Sequence, residues 1–130
     1  MALFDRLAVY REQGLAALRI MTGLLFLEHG TMKLFSFPVA QGGDHLSPLM
    51  LTAALLEFIG GILITVGFLT RPVAFILSGQ MAVAYFMAHA SRGFWPALNN
   101  GEAAILFSFI FIYLFFAGAG AFSVDNRKKI

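Results

Sequence analysis

Residues 48–70 read PLMLTAALLEFIGGILITVGFLT, and this stretch decides the fold. Its one ionisable residue, Glu57, stands in a run that is otherwise apolar or small. A bilayer hydrocarbon core of about 30 Å is crossed by about 20 such residues in an α-helix. Pro48 stands where the helix would begin, a position at which a missing N–H breaks no hydrogen bond. The stretch therefore predicts a transmembrane helix over about 48–70.

Three further segments are long and apolar enough for the same role, and they lie at about 15–37, 72–90 and 102–121. Only Arg71 separates the second and third spans, which predicts a tight antiparallel hairpin. The other spans are separated by turn-forming residues, Gly42-Gly43-Asp44 and Asn99-Asn100-Gly101. The expected fold class is therefore an all-α membrane protein, in which residues 1–130 form a single domain, a four-transmembrane-helix bundle.

The composition supports a membrane environment and excludes several kinds of site. Of the 130 residues, 59% are hydrophobic and only 12% are charged, whereas soluble domains have about 25% charged residues. So few charges cannot cover a water-facing globule of this size. The absence of cysteine excludes disulfides, iron–sulfur clusters and thiolate metal sites. A net charge of +2 implies no nucleic-acid partner.

The positions of the basic residues predict the orientation of the chain. Six lie on the side of the termini, namely Arg6, Arg11, Arg71, Arg127, Lys128 and Lys129, and two lie on the other side, namely Lys33 and Arg92. The positive-inside rule then places both termini in the cytoplasm. Met1–Gln13 has no cleavage site after a short apolar core, so it does not resemble a cleaved signal. We expect a short amphipathic helix there, lying on the membrane face through Leu3, Phe4, Leu7 and Tyr10.

Ionisable side chains within the spans are the candidates for function. Each costs about 2.5–3.5 kcal/mol to insert, so such groups usually face a bundle interior and carry function. Helical rise places those of four helices, Arg19 excepted, in the outer half of the bilayer. The predicted ligand-binding or proton-relay residues are Glu28, His29, Lys33, Glu57, His89, Arg92, Trp95, Asn99 and Glu102.

Structural roles compete with functional ones at these positions. Lys33, Arg92 and Glu102 lie near enough to the interface to reach the headgroups, and Trp95 is typical of an interfacial aromatic. His89 could simply bond a neighbouring carbonyl. Glu57 lies near mid-membrane, and we expect its carboxylate to pair with His29 or another basic group of the first span. The small pair Gly60-Gly61 beside it would let another helix come close.

A family resemblance is carried by motifs along nearly the whole chain, from Leu18 to Asp125. They are Leu18-Arg19-Ile20…Gly23…Phe26-Leu27-Glu28-His29-Gly30…Lys33-Leu34-Phe35, Glu57-Phe58…Gly60-Gly61…Gly67-Phe68…Thr70-Arg71, His89…Gly93-Phe94-Trp95…Asn99-Asn100-Gly101-Glu102, and Gly118-Ala119-Gly120-Ala121-Phe122-Ser123-Val124-Asp125. In order and spacing they resemble the DoxX family, whose tail usually has proline at the position of Ala119. The resemblance implies a four-helix protein of the bacterial inner membrane. It also implies a redox-associated role, since relatives are linked to thiosulfate:quinone oxidoreductase and to membrane complexes that handle oxidative stress.

Three kinds of function remain open at this point. The first is a redox subunit that binds a quinone or small ligand, with His29 or His89 at a quinone carbonyl and Glu57 as proton relay. The second is a non-catalytic anchor or assembly partner of an oxidoreductase complex, and the third is a small metabolite transporter. Whether the chain is itself catalytic stays open, and no haem, flavin or metal is expected. The expected partners are the lipid bilayer, an oxidoreductase in or at the membrane, and a second copy of the chain.

Overall fold

The computed structural model describes residues 1–41 and 45–127, and within these ranges every regular element is helical. The predicted turn at Gly42-Gly43-Asp44 and two of the basic residues counted for orientation, Lys128 and Lys129, lie outside the described residues. The α-helices are α1 (Ala2–Asp5), α2 (Arg11–Phe35), α3 (Pro48–Val66), α4 (Thr70–Ala88), α5 (Pro96–Asn99) and α6 (Glu102–Ala117), and short 3-10 helices cover Arg6–Tyr10 and Ala90–Arg92.

The four long helices alternate in direction around one core. The most extensive packing joins α2 to α3 and α4 to α6, and α3 also packs on α4. The core lies at the centre of the bundle, where Phe26, Ile64, Leu77, Phe111 and Leu114 are almost fully buried. The Phe26 ring meets the Phe111 ring edge-on, with centroids 4.9 Å apart. One side chain from α2 thereby joins the two helix pairs.

Glycines set the spacing between α2 and α3. A Cβ on Gly30 would lie 2.6 Å from the backbone nitrogen of Phe58, and a Cβ on Gly61 would lie 2.7 Å from the Cα of Leu27. These contacts are with backbone atoms, which cannot turn aside as a side chain could. Gly61 therefore performs the role expected of it from the sequence, and the close approach brings Glu57 against α2.

All four long helices end before the predicted span limits: α4 ends at Ala88 rather than at 90, and the other three end where a residue adopts a left-handed backbone conformation. α2 ends at Phe35 rather than at 37, since Ser36 has φ of 56°. α3 ends at Val66 rather than at 70, since Gly67 has φ of 71° and caps the helix. α6 ends at Ala117 rather than at 121, since Gly118 has φ of 86°. Glycine reaches this region without the Cβ penalty that other residues incur.

Two of the connections also differ from the prediction. The link between the second and third spans is Gly67 to Leu69 rather than Arg71 alone, because α4 already begins at Thr70, two residues before the predicted 72. At the N-terminus, helical structure over Ala2–Tyr10 continues into α2 at Arg11, four residues before the predicted 15. Leu3, Phe4 and Leu7 on this segment are exposed, as a membrane-surface segment would require.

The exterior of the bundle is apolar. Each long helix points large apolar side chains outward, for example Met21, Ile59, Phe75 and Phe109, and each of these four is more than half exposed. Among the described residues, two helical stretches are long and apolar enough to cross a membrane, Pro48–Val66 and Thr70–Arg92. α6 is apolar but has 16 residues, about 24 Å at the usual rise. A bundle with an apolar exterior as well as an apolar core is suited to a lipid environment rather than to water.

Candidate functional site

An ion pair between α2 and α3 forms the centre of the candidate site. The Lys33 ammonium donates to both carboxylate oxygens of Glu57, at 2.6 Å and 2.7 Å. The Glu57 side chain is 2% exposed and that of Lys33 is 11% exposed. Glu57 stands midway along α3, whereas Lys33 belongs to the last turn of α2, so the lysine stem reaches inward toward the carboxylate. The expectation that Glu57 pairs with a basic group of the first span is confirmed.

The basic partner is Lys33, not His29. The His29 ring instead meets the edge of Phe107 on α6, with centroids 5.8 Å apart. An ammonium and a carboxylate attract each other strongly where water is excluded, whereas an imidazole can stay neutral and pack on an aromatic ring. The flexible lysine stem explains how a residue four positions further along the same face takes the carboxylate.

Gln80 of α4 lies on the other side of the ion pair. Its Nε2 is 3.3 Å from Glu57 Oε2 and 3.4 Å from the Ala53 carbonyl, so both hydrogen bonds are long. Its Oε1 is buried, and no described residue donates to it. Buried amide oxygens are nearly always hydrogen-bonded, so Gln80 Oε1 is suited to accept from a donor that the described residues do not supply. Gln80 is not among the site residues predicted from the sequence, because an uncharged amide gives no signal in a count of charges.

A second polar group lies at the end of the bundle away from the termini. Asn99 is completely buried. Its Nδ2 donates to the Gly93 carbonyl at 2.9 Å and to the Tyr85 hydroxyl at 3.2 Å, and its Oδ1 accepts from the Gly101 N–H at 2.8 Å. His89 Nδ1 lies 3.0 Å from the Asn99 carbonyl oxygen. Because a carbonyl only accepts, His89 carries its proton on Nδ1, which leaves Nε2 as the free acceptor in the neutral ring.

The hydrogen bonds divide the predicted site residues into separate groups. Lys33 and Glu57 form one group and His89 and Asn99 the other, while His29 packs on an aromatic ring. The remaining predicted residues are on the exposed surface, namely Glu28, Arg92, Trp95 and Glu102. The predicted single cluster formed by four helices is therefore wrong. Lys33 and Glu57 form one compact group with Gln80, and His89 and Asn99 belong to a separate network that anchors the loop. Within the described ranges, no group of three His, Asp or Glu side chains is placed to hold a metal ion.

Arg19, which is not among the predicted site residues, has every side-chain N–H hydrogen-bonded. It is fully buried, and each of its five N–H groups donates to a backbone carbonyl. The acceptors are Ala119 at 2.8 Å, Ile64 at 3.1 Å, Thr65 at 2.6 Å, Ala121 at 2.9 Å and Phe122 at 2.8 Å. Arg19 thus fastens the end of α3 and the C-terminal segment to α2.

The C-terminal segment is fixed at a second point by Asp125. Its carboxylate accepts from the backbone N–H of Leu69 at 2.8 Å and of Thr70 at 2.9 Å, so it caps the N-terminus of α4 from a distant part of the chain. Partial burial acts to raise the pKa of Asp125, but the two N–H groups and the charge of Arg19 outweigh it and lower the pKa below its usual value. Arg19 and Asp125 together hold the C-terminal segment against the ends of α2, α3 and α4.

These features define a small helical membrane protein with a buried ion pair inside the bundle. The family model for DoxX matches residues 14–90, and the chain belongs to the DoxX family. It is similar to an uncharacterized protein of Haemophilus influenzae, with 43% identity over 129 residues that cover 95% of this chain and 96% of the relative. No solved structure matches the chain. The range 14–90 that the DoxX family model matches contains Arg19, Lys33, Glu57 and Gln80.

Proposed function

We propose that the chain is a four-span protein of the bacterial inner membrane with both termini in the cytoplasm. The alternating directions of α2, α3, α4 and α6 and their apolar outward faces support this arrangement. Lipid contact would cover those faces, whose exposure to water would be unfavourable. α2 contains the most ionisable residues, yet its buried arginine is fully bonded and its Lys33 is paired.

Cysteine labelling tests the arrangement, because the natural chain has no cysteine. Single cysteines replacing Ser47 and Ala97 should react with an impermeant maleimide in whole cells, whereas one replacing Asn126 should react only after the cells are opened. Labelling of Asn126→Cys in intact cells would reverse the orientation. Labelling of all three positions would rule out four spans.

The proposed function is that of a redox-associated subunit that binds a quinone beside Lys33 and Glu57. The observation that carries it is a buried ion pair, with Glu57 midway along α3, whose ammonium has one N–H more than the two that reach the carboxylate. Lys33 has three N–H donors and uses two on Glu57, and none of the described residues donates to Gln80 Oε1. The residues therefore suit a small polar headgroup that accepts from an ammonium and exchanges protons. The linkage of family relatives to quinone chemistry agrees with this ligand.

The residues of the pair would hold and move the proton that quinone chemistry requires. Lys33 would orient a carbonyl oxygen through its third N–H and give that proton to the oxygen on reduction, and Glu57, protonated from water, would return a proton to the lysine amine. A bound quinone supplies the capacity to take up two electrons and two protons. The electrons would come from an oxidoreductase partner in or at the membrane, since the chain has no cysteine with which to carry them.

An apolar groove one helical turn from Gln80 would accommodate a hydrocarbon tail. It lies between α3 and α4, has a volume of about 260 Å³, and is lined mainly by Leu55, Leu56, Ile59, Leu63, Val73 and Ile76. Gln80 lies one helical turn beyond Ile76 and Leu77 along the same face of α4. An amphiphile with its apolar tail in this groove would extend its polar head past Ile76 and Leu77 toward Gln80 and the ion pair.

Titration of the purified protein with a short-chain quinone tests the proposal. Wild type should bind, and the folded variants Glu57→Gln and Lys33→Met should bind at least about tenfold more weakly, because one charge-assisted hydrogen bond is worth about 1.5–3 kcal/mol. Glu28→Gln is the matched control, since Glu28 is on α2 with Lys33 but its side chain is exposed. Equal binding by all four proteins, or no binding by wild type, would reject the quinone site.

A specific observation favours one other function. Lys33 and Glu57 neutralise each other's charge, and His89 is bonded to a loop carbonyl, so the buried charges also suit a purely structural role. The chain would then be a non-catalytic membrane anchor or assembly partner of an oxidoreductase, or would associate with copies of itself through its apolar faces. Failure of quinone binding together with co-purification of an oxidoreductase in mild detergent would favour this role.

A further inference from the structure

The connection between α4 and α6 exposes a compact apolar tip at the end of the bundle away from the termini. Phe94 is 80% exposed, Trp95 65% and Leu98 79%. The Phe94 and Trp95 rings meet edge to face with centroids 5.1 Å apart, and Leu98 stands one turn after Trp95. Three large apolar side chains in five residues are unusual for a loop that would face water.

The tip is firmly built onto the bundle. Asn99 ties the loop to α4 through Tyr85 and to itself through Gly93 and Gly101. A Cβ on Gly101 would lie 2.5 Å from the Tyr85 ring, so the ring fills the space that a side chain would take. The buried network therefore holds the apolar tip in its outward position.

The apolar side chains around the tip favour lipid as its cover. The last turn of α4 already points Phe86 and Met87 outward, and both are more than half exposed, so apolar side chains are exposed on this helix end as well as on the loop. The other connection at this end of the bundle also exposes aromatic side chains, those of Phe35 and Phe37. An apolar rim on two separate loops suits a lipid layer around the molecule better than one docked protein.

The chemistry of the neighbouring residues points to the interface between headgroups and hydrocarbon. Trp is enriched at this level because its ring is apolar and its N–H is polar. Arg92, three residues before Trp95, is exposed and carries the positive charge that lipid phosphates attract. We propose that Phe94, Trp95 and Leu98 form an interfacial anchor inserted into the lipid leaflet on the side opposite the termini. The anchor rests on the four-span arrangement proposed above.

Trp95 is the only tryptophan of the chain, so intrinsic fluorescence reports the anchor directly. The wild type would be reconstituted in vesicles of phosphatidylcholine brominated either near the headgroup or near the chain end. A reference protein, Trp95→Phe with Phe109→Trp, places the reporter midway along α6 on an exposed face. We expect Trp95 to be quenched more by bromine near the headgroup and to be shielded from iodide, and the reference tryptophan to be quenched more by bromine near the chain end.

Other outcomes would separate failure of the anchor from failure of the topology. Quenching of Trp95 by iodide but not by brominated lipid, with the reference still quenched at depth, would show that the tip faces water and would overturn the anchor alone. Strongest quenching of Trp95 by bromine near the chain end would also overturn it. Absence of lipid quenching for both proteins would overturn the four-span arrangement and the anchor with it.

Discussion

A double-mutant cycle on Lys33 and Glu57 tests whether the ion pair is as isolated as its geometry indicates. Each alanine variant leaves a charge in a place with little water, because Glu57 is 2% exposed and Lys33 11% exposed. Breaking a buried pair from one side costs about 3–5 kcal/mol. Removing both partners strands neither charge, so the double variant should lose much less than the sum of the two losses. The coupling energy between Lys33 and Glu57 should lie at the upper end of the range for contacting residues, which reaches about 3 kcal/mol.

The assay is unfolding in mixed micelles with increasing SDS, followed by helical circular dichroism. A second cycle on His29 and Glu57 is the matched control, because His29 lies on the same helix face but packs against Phe107. Its two losses should add within about 0.5 kcal/mol. Additive losses in the Lys33–Glu57 cycle, or coupling of equal size in the His29 cycle, would refute the assignment of the pair.

Three further substitutions test the other contacts. Arg19→Lys keeps the charge but has three donors for five carbonyls, so it should lose about 2 to 6 kcal/mol of unfolding free energy at about 1–3 kcal/mol per unsatisfied group; a loss below this range would contradict the five-bond arrangement. Because the pKa of Asp125 is lowered in the folded state, its contribution is present at neutral pH and lost as the pH falls below about 4. Asp125→Asn should therefore flatten the acid limb of a stability–pH profile, and an unchanged acid limb would exclude the cap. Gly61→Ala would press against Leu27 and should cost about 1–3 kcal/mol, whereas Gly79→Ala has open space around its Cβ and should be nearly neutral in the same SDS unfolding assay.

The sequence predicted those features that depend on hydropathy, glycine and isolated charge. The all-helical fold, the close approach at Gly61 and the pairing of Glu57 with the first span all follow from such local signals. The choice between His29 and Lys33 could not be made in this way, because residues four apart share a helix face. Side-chain length and the aromatic environment of His29 decided it.

The sequence could not show contacts between side chains and a distant backbone. Arg19 is bonded to carbonyls as far as 103 positions along the chain, and no acidic residue signals such partners. Asn99 was recognised as part of a turn, but its role in anchoring the loop depends on where Tyr85 and Gly101 lie in three dimensions. Gln80 was missed for a similar reason, since an amide in an apolar helix is ordinary until a carboxylate lies beside it.

The most direct test of the quinone site is to measure what the natural protein retains. Wild type, Glu57→Gln and the control Glu28→Gln would be expressed in the same bacterial host and purified in parallel in mild detergent. Their bound lipids would then be extracted and quantified by mass spectrometry. The account predicts a quinone retained by wild type and by Glu28→Gln, at a ratio to protein that is clearly reduced in folded Glu57→Gln. Equal quinone in all three preparations, or none in wild type, would contradict it.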